Sequence, residues 1–140
     1  RDLGLSILVV THDLGLAWNI ADRLAVMYLG RIVEQGPTEA VLAAPRHPYT
    51  RALLSVVPEV HHLEEQILSG EPPDPTRVPG GCRFHPRCPA LASGAAAQAG
   101  VDDRCRTEPV PVLHSLAEHH GACFLTDESV RKERGDRVGR

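Results

Sequence analysis

Ser6-Ile7-Leu8-Val9-Val10-Thr11-His12-Asp13-Leu14 is the stretch whose reading decides the fold class. Three of the four residues Ile7 to Val10 are β-branched. A short continuous apolar run of this kind reads as a strand buried on both faces. The polar triplet Thr11-His12-Asp13 ends it. Asp13 then predicts the N-cap of a helix over Leu14 to Ala21, because a short carboxylate satisfies the free N–H groups of a first turn. Leu14 and Trp18 sit one turn apart, as do Leu16 and Ile20, so both pairs can face a core. A buried strand running directly into a helix makes the expected class α/β.

The segments that follow extend this pattern. Arg23-Leu24-Ala25-Val26-Met27-Tyr28 reads as a strand, Leu29-Gly30 as a turn, and Arg31-Ile32-Val33-Glu34-Gln35 as the strand that pairs back. Gly36-Pro37 stops it. Thr38 opens a short helix to about Ala43. Pro48, at a tolerated first-turn position, opens another, whose apolar residues are Ala52, Leu53, Val56 and Val57 and which Pro58 ends. Beyond it Pro72, Pro73, Pro75 and Pro79 keep the chain extended. Trp18 and Tyr28 lie in apolar-periodic segments and are expected to pack in a core rather than to form a platform for an adenine ring.

Composition excludes several classes of function. The chain has 140 residues, a hydrophobic share of 42% and a formal net charge of -3. The near-neutral balance lacks the basic stripe of a nucleic-acid binder. No apolar run approaches the roughly 20 residues that cross a bilayer. There is no charged-then-apolar leader, and Arg1-Asp2-Leu3-Gly4-Leu5 running straight into a strand-like segment reads as an interior cut. Composition shifts near Pro58 to Ser69: most of the Pro and all four Cys lie beyond it. A reducing compartment is the default without a leader, which puts metal binding ahead of disulfides.

Two sets of residues carry candidate chemistry. His12 stands at the carboxyl end of the expected strand, where open α/β sheets bind ligands. A His there can hydrogen-bond a terminal phosphate and a water, and phosphoryl transfer mostly needs such positioning; the plainer reading is a polar strand end. Cys82, Cys88, Cys105 and Cys123 can complete a tetrahedral zinc site or hold a [4Fe–4S] cluster. Their spacing lacks the short C-x-x-C pairs of zinc ribbons, so four unliganded thiols stay open. Gly80-Gly81 permits a tight turn before Cys82, and Arg83, Arg87, Arg104 and Arg106 can offset thiolate charge. His85, His119 and His120 compete as ligands in a Cys₃His zinc site, whereas His61, His62 and His114 read as surface residues.

Ser6 to Leu14 resembles the switch-histidine segment of ABC ATPases, and Ile20 to Gly36 resembles the hairpin that follows it in that family. The resemblance implies that His12 is the switch histidine, contacting the γ-phosphate of ATP and helping to place the attacking water in an ATPase that uses ATP with Mg. It implies that residues 1–46 are the C-terminal part of a P-loop NTPase core. The family's phosphate loop, glutamine loop, signature motif, magnesium-binding Asp and catalytic Glu would all lie before Arg1. The chain alone is therefore expected neither to bind ATP tightly nor to hydrolyse it.

His47-Pro48-Tyr49-Thr50-Arg51-Ala52-Leu53-Leu54, Gly70-Glu71-Pro72-Pro73-Asp74-Pro75 and Gly81-Cys82-Arg83-Phe84-His85-Pro86-Arg87-Cys88-Pro89 resemble the C-terminal extension of peptide-importer ATPases. The resemblance assigns residues 47–125 to a small Pro/Cys-rich metal-binding extension. It implies an iron–sulfur cluster held by Cys82, Cys88, Cys105 and Cys123, with zinc as the alternative. Ala92 to Gly100 looks like a loop insertion before Cys105, and residues 126–140 read as a disordered tail. The implied function is a share in the subunit that energises import of dipeptides or oligopeptides, with nickel or sugar as alternative substrates. Its implied partners are a second ATP-binding subunit, two transmembrane permease subunits and an extracytoplasmic peptide-binding protein, at the cytoplasmic face of the membrane and without nucleic acid. A stand-alone metal-binding module, or a truncated nonfunctional product, is the alternative of another class.

Overall fold

The computed structural model describes residues 4–111, 113 and 118–126. The expected surface position of His114 and the expected disorder of residues 127–140 lie outside the described residues. The fold is mixed α/β. Helix α1 spans Leu14–Ile20, strands β1 and β2 span Arg23–Tyr28 and Arg31–Pro37, and helices α2 and α3 span Thr38–Ala43 and Pro48–Ser55. Short helices α4 (Pro89–Ala92), α5 (Ala95–Gln98) and α6 (Asp102–Thr107) follow, then strand β3 at His120–Gly121.

The strands form one antiparallel sheet in the order β1-β2-β3. Leu29 and Gly30 both have positive φ, 45° and 74°, as a two-residue type I′ hairpin turn requires. Asp13 caps α1 as expected, its Oδ1 accepting from Leu16 N at 3.0 Å. Thr38 ties the start of α2 back to the entry of β1: its hydroxyl donates to Ala21 O at 2.7 Å and its N–H to Asp22 O at 3.1 Å.

Three expectations need correction. Residues 7–10 form no strand, and Ile7, Leu8 and Val10 are more than four-fifths exposed. A strand exists only against a hydrogen-bonding neighbour, and no described segment pairs with this one. For the same reason α1 has little to pack on: Ala17 is buried and Leu14 is half-buried against the core, but Leu16, Trp18 and Ile20 are exposed. Trp18 is thus not a core residue here, whereas Tyr28 is. Finally, Ala92 to Gly100 is not a loose loop. It contributes the end of α4 and all of α5, and Ala96 is fully buried. Alanine forms helix readily and fits a tight contact, so the run packs instead of looping out.

The core lies in three clusters. Leu42, Leu54 and Val60 join α2, α3 and the chain after them. Tyr28, Val33 and Phe84 form an aromatic centre on the sheet. Ala96, Val101, Cys105, Val110, Ala122 and Phe124 form the C-terminal cluster, and Cys82 packs against both of the last two. On α3 the buried residues are Thr50, Ala52 and Leu54.

Candidate functional site

The site is assembled around His47-Pro48-Tyr49, and the residue that holds this motif in place is Glu34 on β2. Glu34 is fully buried. Its Oε1 accepts from Arg46 N at 2.8 Å, and its Oε2 accepts from His47 N at 2.8 Å. His119 Nε2 reaches Oε1 at 2.6 Å. One carboxylate thus joins β2, the entry to α3 and the segment before β3. A buried carboxylate needs several partners to offset its lost hydration, and here it has three. Glycine permits the close approach: a Cβ at Gly36 would lie 2.8 Å from His119 Cα, and one at Gly121 would lie 2.8 Å from Arg46 Cβ.

His47 caps α3 with its ring, Nδ1 accepting from Tyr49 N at 3.1 Å. Burial drives its pKa down to about 4. Phe84 fills the space between the motif and the sheet. Its ring lies 5.2 Å from that of Tyr28, 5.4 Å from Tyr49 and 5.6 Å from His47. Tyr28 and Tyr49 lie 4.7 Å apart. The motif in α3 and the Cys82-Arg83-Phe84-His85 segment therefore interlock through aromatic packing. Arg83 donates to Leu29 O at the hairpin turn and anchors the segment from the other side.

Cys82, Cys88, Cys105 and Cys123 all line one small cavity, together with His47, Phe84, Phe124 and aliphatic side chains. All four are free thiols. Gly81, at φ 65°, lets Cys82 N reach Cys105 O at 2.9 Å; a Cβ at Gly81 would lie 2.7 Å from that oxygen. Burial pushes the Cys123 thiol up to about 12 and the Cys105 thiol up to about 11, with the neighbouring cysteines adding to both. Burial also raises Cys82. Arg104 opposes the rise at Cys105, and its guanidinium also lies 4.4 Å from the centre of the Phe124 ring.

The cavity measures about 10 Å³, no more than one water-sized sphere. Among the described residues no three His, Cys, Asp or Glu side chains stand in ligating arrangement. The cysteine donors are of the type that binds thiophilic metals or iron–sulfur groups, but as placed here they do not form a ready ligand set, and the expected metal-binding character of residues 47–125 is not borne out by this arrangement. Four cysteines from distant parts of the sequence converge on one apolar space. The buried Nε2 of His47, on the same wall, has no hydrogen-bond partner among the described residues.

The expected competing ligands are otherwise engaged. His119 is bound to Glu34, and His120 Nε2 lies 3.0 Å from Glu118 Oε2. His85 lines the cavity, but its Nδ1 pairs with Cys82 O at 3.0 Å. His12 is exposed and far from this centre in the chain, next to the α1 cap. Sequence reasoning missed Glu34, Phe84 and the inward-facing role of His47. The signal for Glu34 was a charged residue in a strand otherwise destined for burial.

Residues 33–93 match the family model for the oligopeptide/dipeptide transporter, C-terminal region. The chain is 40% identical over 128 residues to a probable peptide ABC transporter ATP-binding protein, y4tS, of Sinorhizobium fredii; the match covers 89% of this chain and 33% of that protein. It is 38% identical over 141 residues to the dipeptide transport ATP-binding protein DppF of Escherichia coli, covering 96% of this chain and 38% of the relative. Against DppF of Haemophilus influenzae it is 48% identical over 90 residues, 62% of this chain and 28% of the relative. The chain thus spans about a third of the length of these curated relatives.

Proposed function

Because the chain carries the oligopeptide/dipeptide transporter C-terminal region and matches peptide-transport ATP-binding proteins over most of its length, we propose that it is the C-terminal portion of an ATP-binding subunit that energises peptide import through an ABC transporter. The observation that carries this reading is the match itself, which runs through both the switch-histidine segment and the Cys-rich segment. Its substrate is a dipeptide or oligopeptide. Its partners are a second ATP-binding subunit, two transmembrane permease subunits and an extracytoplasmic peptide-binding protein, and it sits peripherally at the inner face of the membrane.

In this reading residues 1–46 close the ATPase domain and residues 47–125 form the extension. Ile7 to Val10 pair with strands of the preceding part of the subunit, which accounts for their exposure here. His12 then stands at a strand end beside bound ATP and Mg. Its imidazole donates to a γ-phosphate oxygen and orients the attacking water, a positioning role that this transfer needs more than covalent help. Among the described residues no helix is long and apolar enough to cross a membrane, and in this reading the permease subunits supply the crossing.

The extension holds a thiophilic group through Cys82, Cys88, Cys105 and Cys123: a [4Fe–4S] cluster, with zinc as the alternative. That group would add a cross-link between segments that the Ala96–Phe124 and Phe84 clusters already pack together.

The test uses the intact subunit containing this chain, assembled with its permeases in vesicles. His12→Ala is expected to abolish peptide-stimulated ATP hydrolysis and labelled-dipeptide uptake, while nucleotide binding persists. Undiminished hydrolysis in that variant would remove His12 from the mechanism. Uptake of nickel or a sugar but of no peptide would overturn the substrate. For the metal, anaerobic protein is assayed for iron and zinc: a broad band near 400 nm with iron supports the cluster, and Cys105→Ser with unchanged content removes Cys105 from the ligand set.

A further inference from the structure

Arg46 and Arg51 are two cations whose charge the fold leaves unspent. Both line an open groove of about 540 Å³, whose wall runs from the end of α2 through the start of α3 to residues 62–66. One peptide unit sets the two arginines side by side. Its carbonyl, Pro45 O, accepts from Arg51 Nε at 2.9 Å, and its N–H, Arg46 N, donates to the buried Glu34 Oε1 at 2.8 Å. The first bond brings the Arg51 guanidinium back against the chain at Arg46. The second spends Glu34 on the backbone, so that carboxylate pairs with neither side chain. Among the described residues no carboxylate stands within ion-pairing distance of either guanidinium.

Two guanidinium forks on one groove match the paired oxygens of a carboxylate or a phosphate. The rest of the lining decides between them. Ala43, Ala44 and Leu63 make part of the wall apolar, and Glu64 adds a negative charge. A phosphate dianion gains nothing from the apolar wall and is repelled by Glu64. A zwitterion gains from both, its carboxylate meeting the arginines and its ammonium meeting Glu64. The volume falls in the range of about 300–1,000 Å³ typical of small-ligand sites, and a single amino acid would leave most of it empty. We infer that this groove binds a short peptide, with Arg46 and Arg51 holding its C-terminal carboxylate and Glu64 its N-terminal ammonium.

The inference does not rest on the transport reading, because the charges of the groove select the ligand. Neither His12 nor any of the four cysteines lines the groove, so binding here is separable from nucleotide chemistry and from the thiols. Arg46 also lends itself to substitution. Its structural contacts run through its backbone N–H and its Cβ, which approaches Gly121, and a glutamine keeps both.

The test titrates the full chain, without nucleotide, with alanyl-leucyl-alanine, its C-terminal amide, its N-acetyl form, free leucine and inorganic phosphate, each followed by calorimetry. The free tripeptide should bind most tightly. Amidation removes the carboxylate from two charged donors and should weaken binding on the order of tenfold or more. Acetylation removes only the contact with the exposed Glu64 and should weaken it about threefold. Arg46→Gln and Arg51→Gln should each bind the acid and the amide more nearly alike, a change of ratio that mere loosening of the fold would not produce. No binding of the tripeptide at millimolar concentration overturns the proposal, as does equal affinity of the wild type for acid and amide. Leucine or phosphate binding as tightly as the tripeptide overturns it too, and so does an undiminished acid-to-amide ratio in both variants. The comparison of acid with amide needs no variant and stands even if one fails to fold.

Discussion

Replacing Glu34 by Gln tests the central joint of the fold with the loss of a single oxygen's acceptor capacity. The carboxylate accepts from Arg46 N and His119 Nε2 on one oxygen and from His47 N on the other. An amide keeps one oxygen. If that oxygen stays with Arg46 and His119, the amide NH₂ faces the His47 N–H, and two donors are buried against each other. Each unsatisfied buried donor costs about 1–3 kcal/mol, so the variant should lose about 3 kcal/mol of stability. For a chain of this length that lowers the melting temperature by about 10 °C. Glu34→Ala, which removes all three acceptor contacts, should lose more. Urea denaturation followed by far-ultraviolet circular dichroism at neutral pH measures both. A Glu34→Gln midpoint equal to wild type, with an unchanged slope, would refute the claim that this carboxylate joins the three segments.

Phe84→Ala should cost about 3–5 kcal/mol, since Phe84 is 1% exposed and fills the space among Tyr28, His47 and Tyr49; the same denaturation assay checks it. The depressed pKa of His47, from 6.5 to about 4, means the unfolded chain binds a proton that the folded chain refuses. The protein should therefore lose stability as pH falls from about 6.5 to about 4, by roughly 3 kcal/mol in total, and His47→Asn should flatten that limb of the stability-versus-pH curve. The raised thiol pKa values of Cys105, about 11, and Cys123, about 12, act at the other end. Their contribution is complete below the unfolded value near 9 and is lost as pH rises through 11–12, so the protein should also weaken in alkali, and Cys123→Ala should reduce that dependence. Asp13→Ala removes the cap on Leu16 N and should cost α1 about 1 kcal/mol, read as lost helical ellipticity.

Local chemistry made much of the fold legible. Asp13 before an apolar-periodic run, Leu29-Gly30 between two apolar strands, and Pro48 after His47 each specify a backbone conformation through neighbours a few residues away. The cap, the hairpin and the starts of α2 and α3 accordingly lie where the sequence predicts them. Ile7 to Val10 shows the limit of such reading. Its composition specifies a strand, but a strand is a relation between two segments, and the described chain provides no partner. Ala92 to Gly100 departs in the opposite sense: its small residues read as a loop, but the run is largely helical and Ala96 is buried.

By itself, the sequence determined the order of α1, the hairpin, α2 and α3 and the identity of the four thiols, and it pointed to the peptide-transport family. These depend on residue type and short spacing. It did not foretell α4, α5, α6 or β3. Only the tertiary structure decided that Glu34 binds Arg46, His47 and His119, that Phe84 locks the His-Pro-Tyr motif to the sheet, and that His47 is buried with its Nε2 unpaired among the described residues. The reason is physical. A hydrogen bond between residues 34 and 119 leaves no periodic trace, since it is set by where folding brings two distant segments together.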